Sequence, residues 1–298
     1  MISTLATTIP LQLADRVLIS LTSISGLILV ASGLTIIFGL MGVLNLAHGA
    51  LMMVGAYTAY AVQSAGFSPW LSIVIAPLVV GLVGVAMEVT LIRRLYDRPL
   101  DTLLATWGVA IVLQEAVTIA FGTSQKSVAP PMEGSISLLG VTYPIHWAFI
   151  IVVAVVVMAI TIGLFAYTDI GIMALAVIQD REMAAAVGIN TRVSDRTTFA
   201  FGSALAGLSG AIMAPLLSVN STMGISWLAD SFLVVIVGGI GTFTGTIAGG
   251  VLLGGLDNLF RTVISGYTSI AQAAVLLVAL VIIRYRPQGL VPTTGGGE

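Results

Sequence analysis

The sequence predicts an all-α polytopic membrane protein of about eight transmembrane segments, one of them a broken or re-entrant helix pair. Composition is the first observation behind this: 58% of the 298 residues are hydrophobic and 8% are charged, against ~25% charged in a soluble domain. The second is a mean hydropathy of +1.10. The third is that the apolar residues fall into runs of about 20, the length a helix needs to cross a ~30 Å hydrocarbon core. Little sequence lies between these runs, so residues 1–298 read as one transmembrane domain.

The first run, residues 17–40, carries no charge, and no basic leader or small-residue cleavage site precedes it. It is expected to be a retained span rather than a signal peptide. Residues 43–64 follow, apolar apart from Asn45, His48 and a few small polar groups; residues 66–92 carry Glu88, and 102–121 carry Glu115. Residues 145–168, 197–218 and 267–283 are the remaining clear spans, and the proline-containing stretch 122–144 is a loop.

Lys and Arg accumulate in cytoplasmic loops. Arg93, Arg94 and Arg98, then Arg181, Arg192 and Arg196, and finally Arg284 and Arg286 mark the cytoplasmic side. Arg16, Lys126 and Arg261 fall on the other side, which makes residues 122–144 an external loop, the N-terminus external and the C-terminus cytoplasmic. Between Arg196 and Arg284 the number of crossings must be even, and two spans already supply it. Residues 231–262 therefore cross twice or re-enter; their ~48 Å of helix falls short of the ~60 Å that two passes need, so a re-entrant hairpin is expected. Its break is Gly238, Gly239, Ile240 and Gly241, since irregular backbone at membrane depth must be buried in protein or line a cavity.

A related break, Gly39 to Gly42, precedes Asn45 and His48. Gly39, Gly42 and Gly55 lie 199 residues before Gly238, Gly241 and Gly254. Two readings stay open: an internal repeat that sets a substrate site where broken helices meet, or chance matches among 33 glycines that allow close helix packing.

Polar groups inside spans are costly and face a partner or a cavity. Glu115, beside Gln114, is the deepest; it either hydrogen-bonds a neighbouring helix in its protonated form or lines a pathway. Asn45 and His48 share a face if their segment is helical. His146 is the other histidine, so no metal cluster is expected. Asp230, Asp257 and Glu88 lie near span ends, where interfacial solvation is expected to satisfy them. There is no phosphate loop and Lys126 is the single lysine, so the chain is not an ATPase; with no H-E-x-x-H and no G-x-S-x-G it is not expected to be an enzyme or to hold a cofactor or metal. No cysteine is present and the net charge is -2, which excludes disulfides and offers no footprint for nucleic acid.

Residues 169–195 are the polar exception. They contain Arg181, Glu182, Ala184, Ala185 and Gly188, a short amphipathic helix that the glycine can end in a left-handed conformation. Residues alone leave it either a solvated loop or a docking element. In a large cytoplasmic loop of a polytopic chain, it resembles the coupling loop of bacterial ABC importer permeases.

The resemblance covers nearly the whole chain. The run GLTIIFGLMGVLNLAHG at 33–49 with Ala56 and Tyr57, DSFLVVIVGGIG at 230–241 and RPQGL at 286–290 are similar to the signature of the hydrophobic amino acid and urea/amide uptake permeases. Within that family, RPLDTLLATWG at 98–108 and the start of the 230–241 run look more like the urea permease subunit. The resemblance implies a bacterial inner-membrane importer. This chain would pair with a homologous second permease, two cytoplasmic ATP-binding subunits holding ATP and Mg would drive it through Arg181, Glu182, Ala184, Ala185 and Gly188, and an external binding protein would deliver substrate. Asn45, His48, Trp107, Gln114 and Glu115 are the pathway candidates for urea or a related short amide. Glu115 suits a zwitterion better, which keeps a branched-chain or hydrophobic amino acid permease as the alternative. A proton-coupled carrier using Glu115 or Asp257 is an alternative of another class.

Overall fold

A computed structural model describes residues 2–96, 98–138, 140–263 and 268–291, with side chains from residue 14 onward apart from residue 268. The chain is built almost wholly of helices. They are α1 (Ile2–Leu34, continued by a π turn Thr35–Leu40), α2 (His48–Ser64), α3 (Pro69–Thr90), α4 (Pro99–Phe121), α5 (Ile145–Tyr167), α6 (Asp169–Gln179), α7 (Arg181–Ala186), α8 (Thr191–Met213), α9 (Gly224–Gly238), α10 (Phe243–Val263) and α11 (Thr268–Tyr285). Both α3 and α4 open on a proline in the first turn, where its missing N–H has no partner to lose.

By length and apolarity, α1, α3, α4, α5 and α8 can each cross a bilayer, and α9 with α10 forms a pair bent by 117° at a short break. At 15 residues, or ~22 Å, α9 is too short to cross a ~30 Å core alone. The pair thus breaks at the glycines 238–241, as the sequence predicts. The expected span 43–64 shortens to the 17 residues of α2, below that length. Residues 42–45 are not helical because the Asn45 side chain accepts the Ala47 N–H at 3.0 Å, a local turn that competes with helix. The last expected span begins at Tyr267, which lies outside the described residues; its described part is α11.

The expected loop 122–144 holds a small hairpin, β1 (Ser135–Leu138) antiparallel to β2 (Val141–Pro144). The loop is tied down from several helices. Gln63 brackets Ala129 with two hydrogen bonds of 3.0 and 2.8 Å, Lys126 pairs with Val219, and Tyr143 meets Thr22 of α1.

The middle of the bundle is α8, against which α1, α2, α3 and α6 pack. Small residues on several of its faces, among them Gly202, Ser203, Ala206, Gly207 and Gly210, are buried, and small side chains let helix backbones approach without a hydrophobic driving force between them. Two-thirds (67%) of the α8 span is buried against 17% of α4, so α4 sits at the periphery.

Candidate functional site

At the end of the bundle that carries Arg93, Arg94 and Arg196, α7 projects between α6 and α8. Asp180 caps it by accepting the Met183 N–H at 2.8 Å, Glu182 lies in its first turn, where the helix dipole favours an acid, and Gly188 ends it at φ +92. Only Ala184 is buried in this helix. The helix is therefore anchored through Ala184 and offers Glu182, Ala185 and Gly188 outward. It also presents a pair missed in the sequence, Met183 and Val187, which are 61% and 69% exposed. Their spacing of four residues puts them on one face; an apolar i, i+4 pair beside Arg181 and Glu182 was the signal.

Arg181, with its side chain 48% exposed, also bonds back to the protein. It donates to Asp195 Oδ2 of α8 at 2.7 Å and lies over the Tyr96 ring at 5.4 Å. Burial, then the Asp195 and Glu88 carboxylates, hold the Tyr96 phenol protonated well above its ordinary range. Nearby, Glu88 corrects the expectation of interfacial solvation. It is fully buried where α3 packs on α8, its oxygens accept no hydrogen bond among the described residues, and Arg196 Nε is 3.6 Å away. Breaking such a pair from one side costs more than the pair contributes, because a charge is left buried. Arg196→Ala is expected to cost ~2 kcal/mol, below the ~3–5 kcal/mol of a fully buried pair because the Arg196 side chain is 39% exposed. Adding Glu88→Gln should recover most of the loss in thermal unfolding of the purified protein; no recovery would show that the charge is not the cause.

The two glycine breaks meet. A Cβ on Gly39 would lie 2.7 Å from the Gly241 backbone nitrogen, and Thr35 Oγ1 and Thr246 Oγ1 are hydrogen-bonded at 2.6 Å. Gly42, Gly239 and Gly241 have φ of +68, +124 and +82; Gly238 packs against Gly245. The segment after α11 closes over the second break, with Leu290 and Val291 N–H groups donating to Val237 and Gly238 carbonyls at 2.9 Å each. Each broken element crosses over to the other, α1 packing on α10 and α2 on α9.

The pathway candidates separate into two groups. Asn45 and His48 are fully buried. His48 Nε2 is 3.0 Å from the Val30 carbonyl, which can only accept, so Nε2 carries the proton. Its Nδ1 and the Asn45 Nδ2 have no partner among the described residues. On α4 the buried face is Thr102, Thr106, Ala110 and Val117, with Thr106 bonded to the first break through the Leu46 N–H at 3.1 Å. Trp107 is 43% exposed, Gln114 is half-buried and Glu115 exposed, and at 100° per residue Glu115 points away from Thr106. Glu115 thus neither hydrogen-bonds a neighbouring helix within the described chain nor joins Asn45 and His48. Among the described residues no cluster can hold a metal ion.

A cavity of about 720 Å³ lies between α1, α9, α10 and α11 and reaches Met213 at the end of α8. It is therefore about 33 Å along α8 from the α7 end, at 1.5 Å per residue. Asp230, Asp257, Asn258, Arg261 and Gln272 line it with Trp227 and several aliphatic side chains. Asp230 and Asp257, expected near span ends, are half-buried and line this cavity. In the sequence Arg261 served only as a topology marker, and Asp257 to Arg261 at i, i+4 on an apolar helix was the available signal.

A family profile described as "Branched-chain amino acid transport system / permease component" matches residues 16–283. The chain is similar to the high-affinity branched-chain amino acid transport system permease protein LivH of Salmonella typhimurium, 27% identical over 86% of this chain and 88% of that one. It is similar to BraD, the permease protein of the same kind from Pseudomonas aeruginosa, at 27% over 88% and 90%. The ribose import permease protein RbsC of Haemophilus influenzae is 26% identical over 91% and 85%. No solved structure is matched.

Proposed function

Because the chain belongs to the family of permease components of branched-chain amino acid transport systems, we propose that it is a membrane-spanning permease subunit of an ATP-driven importer whose cargo is a branched-chain amino acid. The match over residues 16–283, with LivH and BraD among the relatives, carries the reading. It replaces urea as cargo, since the relatives named for a cargo transport branched-chain amino acids or ribose.

The same proposal includes the rest of the assembly. The arginine-bearing end with α7 faces the cytoplasm, where two ATP-binding subunits holding ATP and Mg dock on α7. A binding protein delivers substrate at the opposite end, and a second, homologous permease completes the pathway. Asn45 and His48, buried after the first break with hydrogen-bonding capacity to spare, belong to the moving part of that pathway, and Trp107, Gln114 and Glu115 on peripheral α4 face another protein surface rather than lipid.

Competition for uptake by the assembled complex tests this. Labelled leucine should enter with ATP and be displaced by isoleucine and valine, with no displacement by urea or ribose. A proton gradient without ATP-binding subunits should drive no uptake. Displacement by urea alone would return the cargo to a short amide, and gradient-driven uptake would remove the importer reading altogether.

A further inference from the structure

The cavity between α1, α9, α10 and α11 carries polar groups with hydrogen-bonding capacity that the packing does not use. Asp230 makes no hydrogen bond among the described residues; the charges that reach it are Asp257 and Arg261. Asp257 Oδ2 accepts Arg261 Nε at 2.7 Å, which leaves the two Nη groups of Arg261 without a bond among the described residues. Asn258 spends its Nδ2 on the Gly254 carbonyl at 3.1 Å and keeps its Oδ1. A carboxylate, a forked donor and a spare carbonyl thus border one space whose other walls include Leu27, Leu233 and Val275. Asp230 is half-buried and the Arg261 side chain 46% exposed, so water reaches these groups, and a ligand that replaces it must return equally good partners.

We propose that this cavity binds a free α-amino acid with an aliphatic side chain before it enters the pathway. This rests on the reading of the chain as an amino acid permease subunit and gives that reading a site. The α-ammonium takes Asp230 and the Asn258 Oδ1, the α-carboxylate takes the Arg261 Nη pair in the bidentate geometry a guanidinium favours, and the side chain lies on the aliphatic wall. With two carboxylates and one guanidinium the site carries an excess negative charge, so the ammonium is the group it discriminates most strongly. About 720 Å³ is within the ~300–1,000 Å³ of small-molecule sites. The cavity lies at the opposite end of α8 from α7, on the side where substrate would be delivered.

The test is binding of labelled leucine to the purified permease complex, with leucinol, which lacks the carboxylate, and 4-methylpentanoate, which lacks the ammonium, as competitors. The wild type should bind leucine, compete with leucinol weakly and with 4-methylpentanoate least. Asp230→Asn should weaken leucine and leucinol together by about tenfold or more, and Arg261→Gln should weaken leucine by a similar factor while sparing leucinol. Unchanged leucine binding in both variants, with normal uptake, would place the amino acid elsewhere and overturn the site alone. Absence of leucine uptake by the wild-type complex would overturn the cargo reading instead. Release of bound leucine by an aminophospholipid added to the delipidated complex, with the same loss in Asp230→Asn, would reassign the cavity to a lipid headgroup.

Discussion

Met183→Asp is expected to reduce ATP-driven uptake at least about a hundredfold and to strip the ATP-binding subunits from the complex while the permease itself stays folded. Met183 is 61% exposed and Val187 69%, so neither contributes much to the fold of this chain. In the proposed docking each is buried instead, and burial of such a side chain stabilises by ~1.5–3 kcal/mol. The substitution removes that gain and desolvates a carboxylate as well, and every ~1.4 kcal/mol is a factor of ten in affinity. Glu182→Lys, which leaves the apolar pair in place, should give a milder loss of uptake. Co-purification of the ATP-binding subunits with the variant is the decisive measurement: full retention would mean that α7 is not the docking element.

Gly210→Val is expected to abolish accumulation of folded protein, a loss beyond the ~4–5 kcal/mol that marks exceptional substitutions. A Cβ at Gly210 would fall onto the Met52 carbonyl oxygen, with the Met52 carbonyl carbon 2.9 Å and the Ala56 nitrogen 3.0 Å away. These are backbone atoms of α2 and no rotamer change moves them. Gly55 and Gly207 approach across the same pair of helices, so α2 and α8 touch along their main chains and would have to separate. The contrast is Gly163→Val in α5, where a Cβ meets open space; it should accumulate at the wild-type level. Size-exclusion profiles of detergent extracts of the two variants decide it, and a normal profile for Gly210→Val would mean that α2 and α8 do not pack in this way.

Some elements were legible because a single local property defines them. Residues 145–168 read as a span and α5 is Ile145–Tyr167, since an all-round apolar helix needs no knowledge of its neighbours. The 238–241 break was legible too, because glycines in an apolar run with the wrong length for two passes have few solutions. The start of α2 was not: hydropathy ran through Asn45, whose side chain diverts the backbone for reasons that hydropathy does not measure. Glu88 and Glu115 show the same limit from opposite sides. Both are lone acids in apolar helices. One is enclosed and answered by Arg196 from a helix about a hundred residues on in the sequence, whereas the other lies on an open face.

The candidate sites divide in the same way. The helix at Arg181 to Gly188 was visible as residues, but its working face was not, because facing depends on where Ala184 finds its pocket. The cavity was invisible for a stronger reason. Asp230 and Arg261 come from two helices joined by the break, and the aliphatic wall from these and from α1 and α11, so only the packing of the hairpin against both encloses the space.

By itself, then, the sequence determined the solvent of this protein, the family it belongs to and the places where its helices break. Each of these is a sum over residues close together in the chain: transfer of apolar surface to lipid, a motif, or a glycine in a helix. Tertiary structure decided which polar groups are answered and which are left to bind something. The Thr35–Thr246 hydrogen bond, between residues 211 apart, and the contact of Gly39 with Gly241 form only when both broken elements have packed, since the energy of such a contact depends on the distance in space between groups whose separation along the chain carries no information about it.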